Sequence, residues 1–515
     1  MKTKTVSKFV CAALAALAGR TLAAAVAFST PFGDGMVLQR GRPVPVWGTA
    51  KPGERVVVRF AGQEKIATAG GDGRWRVDLA AMPECREGRE LAVESAAGDR
   101  MVLRDVLVGE VWIVSGQSNC ELPLVGPTPH FSDRDGILVA NMTHRPLVRI
   151  AYASTHRHSN EPRRELRERA VWKACVPENL RKPRGFSALG IYFALDVFAE
   201  TGIPIGLVGI YWGATNIEPW IPREGFDGVP GAEWCRDWKP IPLDATKDQM
   251  TKVGFCNTPN RQPSVIWNDQ LAPWCPMAVR GVLWYQGESN SYRGKDGEFG
   301  GDWYRLMMHA LYGSWARAFE NPGLRFYFVQ LAPFADWWDI QSCQAKFAAE
   351  EPNAAMVSAC DVGNRHDIHP NEKGVLGRRL AALALKRDYG FGDIPADAPI
   401  LKRCVADGRM VKMDFSDASG WWLYNADWSV DVGFELAGAD GEWKPARLVN
   451  TVNGLAASTP WKTKGAVDGG GTLVIEAEGV ESPVRVRYLR ERRWSGHLYS
   501  TDSGLPLGPF EAEIR

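Results

Sequence analysis

The sequence lacks the features that mark several large classes of protein. Its 515 residues carry 61 Lys and Arg against 60 Asp and Glu, so it has no basic excess with which to bind nucleic acid. It has only eight histidines, no C-x-x-C pair, no internal repeat and no low-complexity segment. Beyond the N-terminal region, no apolar run is long enough to span a bilayer. The missing C-x-x-C pair disfavours a zinc ribbon or a thioredoxin-like site, and the missing apolar runs disfavour a membrane bundle.

The first 25 residues predict a secretory signal peptide. Three lysines within the first eight residues precede an apolar run from Phe9 to Ala18, and small residues follow as far as Ala25. A positive start, a short apolar run and an Ala-rich cleavage region are typical of an export signal, and the run is too short for a membrane anchor. We therefore expect a secreted or periplasmic protein with no membrane span in the mature chain.

Changes in strand pattern predict three further domains. Residues 26–105 contain short alternating strands between Gly- and Pro-containing turns, as in a small β-sandwich. Residues 106–392 alternate continuous apolar runs with helical patterns, which is typical of a doubly wound α/β domain with a parallel sheet. Pro395 and Pro399 mark a linker, and residues 393–515 return to short strands that predict a second, C-terminal β-sandwich.

Continuous apolar runs predict the buried strands of the α/β domain, and apolar residues at helical spacing predict its helices. The runs are Glu110–Ser115, Ile205–Tyr211, Val279–Trp284 and Arg325–Leu331, and the helical patterns are Ser187–Thr201 and Asp302–Phe319. Ligands in such a sheet bind at the carboxyl ends of the strands. The residues that follow each run are therefore the candidate site.

Glycine-bearing polar segments follow three of these runs. Gly116–Asn119 follows the first, and its Ser118, in a sharp turn at a strand end, is in the position of a nucleophile because the next amides face a developing oxyanion. Trp212–Asn216 follows the second, and Gly213 there leaves a backbone N–H able to face the same site. Tyr285–Asn290 follows the third and is rich in hydrogen-bonding groups. A helix N-cap is the structural alternative for the serine.

His369 is the candidate general base. It lies in Asp367-Ile368-His369-Pro370, between a strand-like segment and a helical pattern. That position is a polar loop at the same sheet edge as Ser118. The pair His156 and His158 is not accompanied by further ligands, so we predict no metal site.

Four motifs occur in order along the chain. They are GQSN at Gly116–Asn119, WGATNIEPW at Trp212–Trp220, WYQGESN at Trp284–Asn290 and DIHPNEKGVLGRRLA at Asp367–Ala381. Together they resemble the sialate O-acetylesterase family, one of the Ser-Gly-Asn-His esterases, and Phe32–Gly48 resembles the opening strands of that family's β-domain. The resemblance implies a flavodoxin-like doubly wound domain and a carboxylic ester hydrolase that removes O-acetyl groups from sugars, with no metal or organic cofactor.

The resemblance also implies the catalytic residues. Ser118 is expected to form an acetyl intermediate, with His369 as the general base. The carboxylate that orients His369 stays open, because related esterases place an Asp three residues before the histidine and a second histidine stands there in this chain. Asp367 and Glu288 are the two main candidates for this carboxylate, and Asp361 is a third.

The resemblance places the oxyanion hole at the amides of Ser118 and Gly213, with a side-chain amide from Asn290 or Gln286. Gln117, beside the nucleophile, is expected to line the same site. These groups would stabilise the charge that develops on the acetyl carbonyl oxygen.

Aromatic residues flank the motifs and have two interpretations. Trp212, Trp220, Trp284 and Tyr285 could stack on the sugar or support the catalytic loops from below, and for any single one of them support is the interpretation that we favour. We count Trp212 and Trp284 among the candidate substrate-binding residues.

An acetylated carbohydrate is the expected substrate, and its identity stays open between O-acetylated sialic acid, acetylated xylan and another acetylated glycan. A sialate would call for a cation to meet its carboxylate, and Arg293 is near in sequence. A non-catalytic carbohydrate-binding protein is the alternative outside the enzymes, and the presence of both Ser118 and His369 disfavours it. A lipid esterase is disfavoured because no G-x-S-x-G elbow occurs. The oligomeric state is not predicted.

Overall fold

A computed structural model describes residues 26–124, 145–152, 156–180, 186–241, 258–293, 302–334, 337–363, 366–424, 432–449, 464–466, 470–490 and 497–515. The predicted signal peptide, residues 1–25, lies outside these ranges. Within them, no helix is long and apolar enough to cross a membrane.

The N-terminal region consists of short strands that lead into one long strand. The strands are β1 Ala27–Phe28, β2 Val37–Gln39, β3 Val44–Thr49, β4 Arg55–Phe60, β5 Gln63–Thr68, β6 Arg74–Leu79, β7 Cys85–Ser95 and β8 Arg100–Gly116. β1, β3 and β6 form an antiparallel sheet, whereas β4 pairs with β5 and β7, and β7 pairs with β8. The alternation in β4 buries Val56, Val58 and Phe60 on one face, as its period of two predicts.

The long strand β8 continues through the predicted domain boundary at residues 105 and 106. Its first half pairs with β7, and its second half lies in the centre of the parallel sheet. Side chains on both sides of the boundary pack into one core that extends from Val26 to Ala396. The change from alternating to continuous apolar residues therefore marks a change of environment along a single strand, and no linker separates the two regions.

The α/β region follows the predicted alternation of strands and helices. Its further strands are β9 Arg145–Tyr152, β10 Val171–Cys175, β11 Ile205–Tyr211, β12 Gly281–Tyr285, β13 Arg325–Gln330 and β14 Ala354–Ser358. Its α-helices are α1 Ser118–Glu121, α2 Pro177–Leu180, α3 Ala188–Thr201, α4 Glu233–Arg236, α5 Trp303–Ala318, α6 Trp338–Glu350 and α7 Lys373–Asp388. Short 3-10 helices lie at Glu218–Trp220, Arg223–Phe226, Pro259–Arg261, Ala272–Trp274 and Glu288–Arg293, with a π-turn at Trp267–Leu271.

The central sheet has the order β10-β9-β11-β8-β12-β13-β14. All neighbouring pairs from β9 to β14 are parallel, and β10 is antiparallel to β9. The four predicted apolar runs and the two predicted helices are confirmed as elements of this region. Every residue of Ile205–Tyr211 is buried, which explains why this strand has no polar alternation.

The C-terminal region forms two antiparallel sheets around its own core. The strands are β15 Ile400–Asp407, β16 Met410–Ser416, β17 Trp421–Tyr424, β18 Phe434–Ala437, β19 Trp443–Leu448, β20 Lys464–Ala466, β21 Leu473–Ala477, β22 Arg485–Tyr488, β23 His497–Ser500 and β24 Phe510–Glu513. Seven of them form one sheet, and β20, β17 and β23 form the other. Cys360 of the α/β region packs into this core, and the Tyr499 hydroxyl donates to Asp361 at 3.1 Å.

Candidate active site

Neighbouring strands bring three of the predicted motifs to one edge of the sheet. Gly116, the last residue of β8, pairs with Tyr211 of β11 on one side and with Tyr285 of β12 on the other. The Trp212 N–H donates to the Gly116 carbonyl at 3.0 Å, and the Gln117 N–H donates to the Tyr285 carbonyl at 3.0 Å. The chain therefore leaves all three strands at the same level.

Gly116 occupies a backbone position that requires glycine. Its φ is +142°, which side chains rarely adopt, and a Cβ atom there would lie 2.1 Å from the Tyr285 carbonyl oxygen. This close approach lets the chain turn directly from β8 into α1, of which Ser118 is the first residue.

Gly116→Ala is expected to lower the free energy of unfolding by about 3 kcal/mol, because it combines overpacking with an unfavourable φ. Urea denaturation of the variant and the parent measures this loss. Gly41→Ala is the matched control, since Gly41 also has a positive φ, +70°, but nothing lies within 4 Å of its added Cβ. Equal losses in the two variants would contradict a steric role for Tyr285.

The loop between β14 and α7 brings His369 to Ser118. The His369 Nε2 atom lies 3.0 Å from the Ser118 Oγ atom. On the other side, Asp367 Oδ1 accepts the His369 backbone N–H at 2.9 Å and lies 3.5 Å from the ring Nδ1. The side chains of both loop residues are 23% exposed, so a hydroxyl, an imidazole and a carboxylate meet at a site that solutes can reach.

The other two candidate carboxylates have different partners. Glu288 is buried, and its Oε1 atom accepts the Asn119 side-chain N–H at 2.5 Å. Burial raises the pKa of Glu288, and this hydrogen bond offsets part of the rise. Asp361 forms a bidentate ion pair with Arg379, at 2.8 and 2.6 Å. Burial alone would raise the pKa of Asp361, but Arg379 brings it below the ordinary value.

The Gly213 backbone lies against the nucleophile, but its N–H has a carboxylate partner. A Cβ atom at Gly213 would lie 3.4 Å from the Ser118 Cβ. The Gly213 N–H donates to Glu121 Oε2 at 2.8 Å, and Glu121 Oε1 lies 2.6 Å from His156 Nε2. The imidazole in turn stacks on Trp212, with 5.2 Å between the ring centroids. The predicted oxyanion donor is thus present beside Ser118 and bound to an anion.

The side-chain amides of Gln286 and Asn290, expected in the oxyanion hole, bond to other polar groups at the strand ends. The Gln286 Nε2 atom donates to Thr215 O at 3.0 Å, Asn290 Oδ1 at 2.8 Å and Gln117 Oε1 at 3.2 Å. The Asn290 Nδ2 atom faces Glu218 Oε2 at 3.3 Å. These side chains are buried in a network that joins the three strand ends.

The four aromatic residues that flank the motifs differ in their exposure. Trp284 is fully buried, and the rings of Trp220 and Trp315 cover it at centroid distances of 5.7 and 5.9 Å. Trp220 and Tyr285 are likewise buried. These residues support the loops from below, whereas Trp212 is partly exposed at the site.

Four polar residues at the site were missed by the sequence reasoning. Asn119 and Lys373 lie inside the quoted motifs, and the motif positions are the signal that could have identified them. Glu121 and His156 carry no comparable signal.

Two further expectations concern bound groups. The side chain of Arg293, named as a candidate cation for a sialate, lies outside the described part of the chain. Within the described ranges, no group of three or more His, Cys, Asp or Glu side chains is arranged to hold a metal ion.

Comparison with known proteins finds similarity to acetylesterases. The family described as carbohydrate esterase, sialic acid-specific acetylesterase, matches residues 265–386. The sialate O-acetylesterase of Homo sapiens is 27% identical over 416 residues, which cover 72% of this chain and 73% of the relative, and that of Rattus norvegicus is 26% identical over 95% of this chain and 94% of its own. The crystal structure of a carbohydrate acetylesterase from Xanthomonas citri is 29% identical, has a TM-score of 0.75 and is aligned over 95% of this chain and 99% of its own.

The chain is therefore a carboxylic ester hydrolase. Its resemblance to the sialate O-acetylesterase family, first noted in the four motifs, is confirmed.

Proposed function

We propose that the chain is a serine esterase that removes O-acetyl groups from sugars, with O-acetylated sialic acid as the first candidate substrate and acetylated xylan as the alternative. The observation that carries the proposal is the 3.0 Å contact between His369 Nε2 and Ser118 Oγ at the sheet edge. We base the choice of an acetylated sugar as substrate on the similar proteins, which are named as a sialate O-acetylesterase and a carbohydrate acetylesterase.

We also propose that the region from β8 to α7 is a doubly wound, flavodoxin-like catalytic domain between two β-sandwiches. The order β11-β8-β12-β13-β14, with every pair parallel, supports this arrangement.

In the proposed reaction, Ser118 Oγ attacks the acetyl carbonyl carbon while His369 Nε2 accepts the hydroxyl proton. The tetrahedral intermediate collapses, the bond between the carbonyl carbon and the sugar oxygen breaks, and His369 returns the proton to that oxygen. Water then attacks the carbonyl carbon of acetyl-Ser118 while His369 accepts one of its protons. The bond between that carbon and Ser118 Oγ breaks, His369 returns the proton to Oγ, and the acetic acid formed leaves and ionises to acetate. Asp367, at 3.5 Å, favours the protonated imidazole.

The proposed oxyanion hole consists of the backbone N–H groups of Ser118 and Gly213. The first N–H groups of a helix have no partner within it, and Ser118 begins α1. The Gly213 N–H becomes available to the substrate oxygen only when the Glu121 carboxylate moves away from it.

Acetate release from a panel of substrates tests the proposal. We expect the protein to release acetate from 9-O-acetyl sialic acid, and acetylated xylan and a peracetylated simple sugar serve as comparisons. Faster release from acetylated xylan than from 9-O-acetyl sialic acid would make the protein an acetyl xylan esterase. Sugar binding without acetate release from any of the three would favour the non-catalytic carbohydrate-binding protein.

Glu121→Ala is expected to raise kcat/KM for p-nitrophenyl acetate by about 10- to 100-fold, because the substrate oxygen no longer competes with a charge-assisted hydrogen bond of about 1.5–3 kcal/mol. Glu121→Gln is the matched control, since its side-chain oxygen still accepts the Gly213 N–H but carries no charge, and we expect a smaller rise. A loss of activity in both variants would show that the carboxylate assists catalysis.

A further inference from the structure

We propose that Lys373 is a positioning residue of this esterase, which fixes the loop that carries the base against the turn that carries the nucleophile. The proposal rests on the proposed function and deepens it, because it assigns a role to a side chain that touches neither the substrate nor the reacting atoms. It follows from a buried network that reaches both sides of His369.

The Lys373 side chain is enclosed at the start of α7. Only 4% of the residue is exposed. Its Nζ atom donates to Asn119 Oδ1 at 2.5 Å and to the Pro370 carbonyl at 2.7 Å, and it lies over the Tyr285 ring at 5.3 Å from the centroid. One ammonium group thus joins α7, the base loop, the nucleophile turn and the end of β12.

Asn119 completes the connection from the side of the nucleophile. Its Nδ2 atom donates to Glu288 Oε1 at 2.5 Å and to the Ile368 carbonyl at 3.1 Å. The carbonyl before His369 is therefore held by Asn119, and the carbonyl after it is held by Lys373. Because Asn119 directly follows Ser118, these bonds set the position of the base relative to the nucleophile.

The network is also an ion pair that passes through an amide. The ammonium group bonds to the oxygen of Asn119, and the nitrogen of the same amide bonds to the Glu288 carboxylate. Burial lowers the pKa of Lys373 to about 7, against the opposing effects of Glu288, Cys120 and Asp367. Among the described residues, Tyr285 and these three groups are the titratable side chains that face the ammonium from the surrounding elements.

A contribution to folding alone is the simplest alternative. Buried ion pairs often stabilise a fold no more than apolar side chains of similar size. All of the polar contacts of Lys373 described above end on the base loop or the nucleophile turn, and a displacement of about 1 Å between reacting groups can lower a rate by about 100-fold. Kinetic measurements distinguish a role in positioning His369 from a role in folding alone.

Lys373→Met is expected to lower kcat for p-nitrophenyl acetate by about 10- to 100-fold with KM changed less than about 2-fold. Lys386→Met is the control, since it removes an ion pair, with Asp397 at 2.6 Å, from the same helix away from the site; we expect its kcat to equal that of the parent. An unchanged kcat in Lys373→Met would overturn the proposal. Absence of turnover in the parent protein would instead refute the proposed function.

The pH profile supplies a readout that a purely structural role would not change. In the parent, kcat is expected to fall as the pH rises through about 7, because Lys373 loses the proton that gives it its charge and its third N–H donor. In Lys373→Met this limb is expected to disappear. An identical alkaline limb in both proteins would contradict the proposal.

A double variant covers the case in which Lys373→Met folds poorly. Lys373→Met combined with Glu288→Gln removes both charges, so its melting temperature is expected to match or exceed that of the single variant. Its kcat is expected to stay at least about 10-fold below that of the parent, because the contact with Pro370 is still absent. Recovery of kcat together with the melting temperature would show that Lys373 acts only on folding.

Discussion

Ser118→Ala is expected to lower acetate release by at least about 10⁴-fold, because the acetyl group then has no hydroxyl to which it can transfer. The imidazole 3.0 Å away remains in place but has no proton to accept from this position. Ser118 is partly exposed, so the loss of one hydroxyl is expected to leave the melting temperature nearly unchanged. Release of p-nitrophenol and thermal unfolding measure the two quantities.

Ser115→Ala is the matched control for this substitution. Ser115 lies in β8, three residues before Ser118, and is fully buried, and its hydroxyl has no hydrogen-bond partner among the described residues. We expect full activity from it. His369→Ala should reduce the rate by a similar factor to Ser118→Ala, and the double variant should be no slower than either, because the two residues act as a unit. Additive losses, or turnover by Ser118→Ala, would contradict the proposed nucleophile.

The parts of the fold that were predicted correctly are those with a local signature. Ile205–Tyr211 is buried along its whole length, and burial on both faces requires an uninterrupted apolar run. The helix at Ala188–Thr201 begins after Ser187, whose side chain accepts the Gly190 N–H at 3.2 Å, and it ends at Gly202 in the left-handed conformation. Such signals lie within a few residues of the elements that they define.

The parts that were missed depend on contacts between distant residues. Lys373 and Asn119 are 254 residues apart, and a lysine at the start of a helix has no local feature that distinguishes a buried ammonium from a solvated one. The same holds for His156 and Glu121, the carboxylate that accepts the Gly213 N–H. The core shared across residues 105 and 106 was missed because one strand serves two environments.

Trp284 shows why its two interpretations could not be distinguished from the sequence. The sequence places it at the end of a strand, where a side chain either faces the site or returns to the core. β12 extends one residue further, to Tyr285, and Trp284 stays within the sheet beneath Trp220 and Trp315. One residue of strand length therefore decides whether Trp284 faces the site or the core. The ends of helices and strands are where sequence patterns are least informative.

The second large effect is expected from replacing the carboxylate that orients His369, for which Asp367 and Glu288 are the candidates. Asp367→Asn is expected to lower kcat for p-nitrophenyl acetate by about 10³-fold, since the negative charge beside the protonated imidazole is lost. The side-chain oxygen of the new residue can still accept the His369 backbone N–H, as Asp367 does at 2.9 Å. The loop should therefore keep its shape, and the loss should lie in kcat with little change in KM.

Glu288→Gln is the matched comparison, because it also exchanges one carboxylate for an amide. The Glu288 contact is with Asn119, at 2.5 Å, and an amide oxygen can accept the same N–H. Its effect reaches His369 only through the loop, so we expect kcat to fall by about 10-fold or less. Steady-state kinetics of the two variants under one set of conditions decide the matter. If Glu288→Gln loses more activity than Asp367→Asn, then Glu288 is the carboxylate on which the protonated imidazole depends, and Asp367 only shapes the loop.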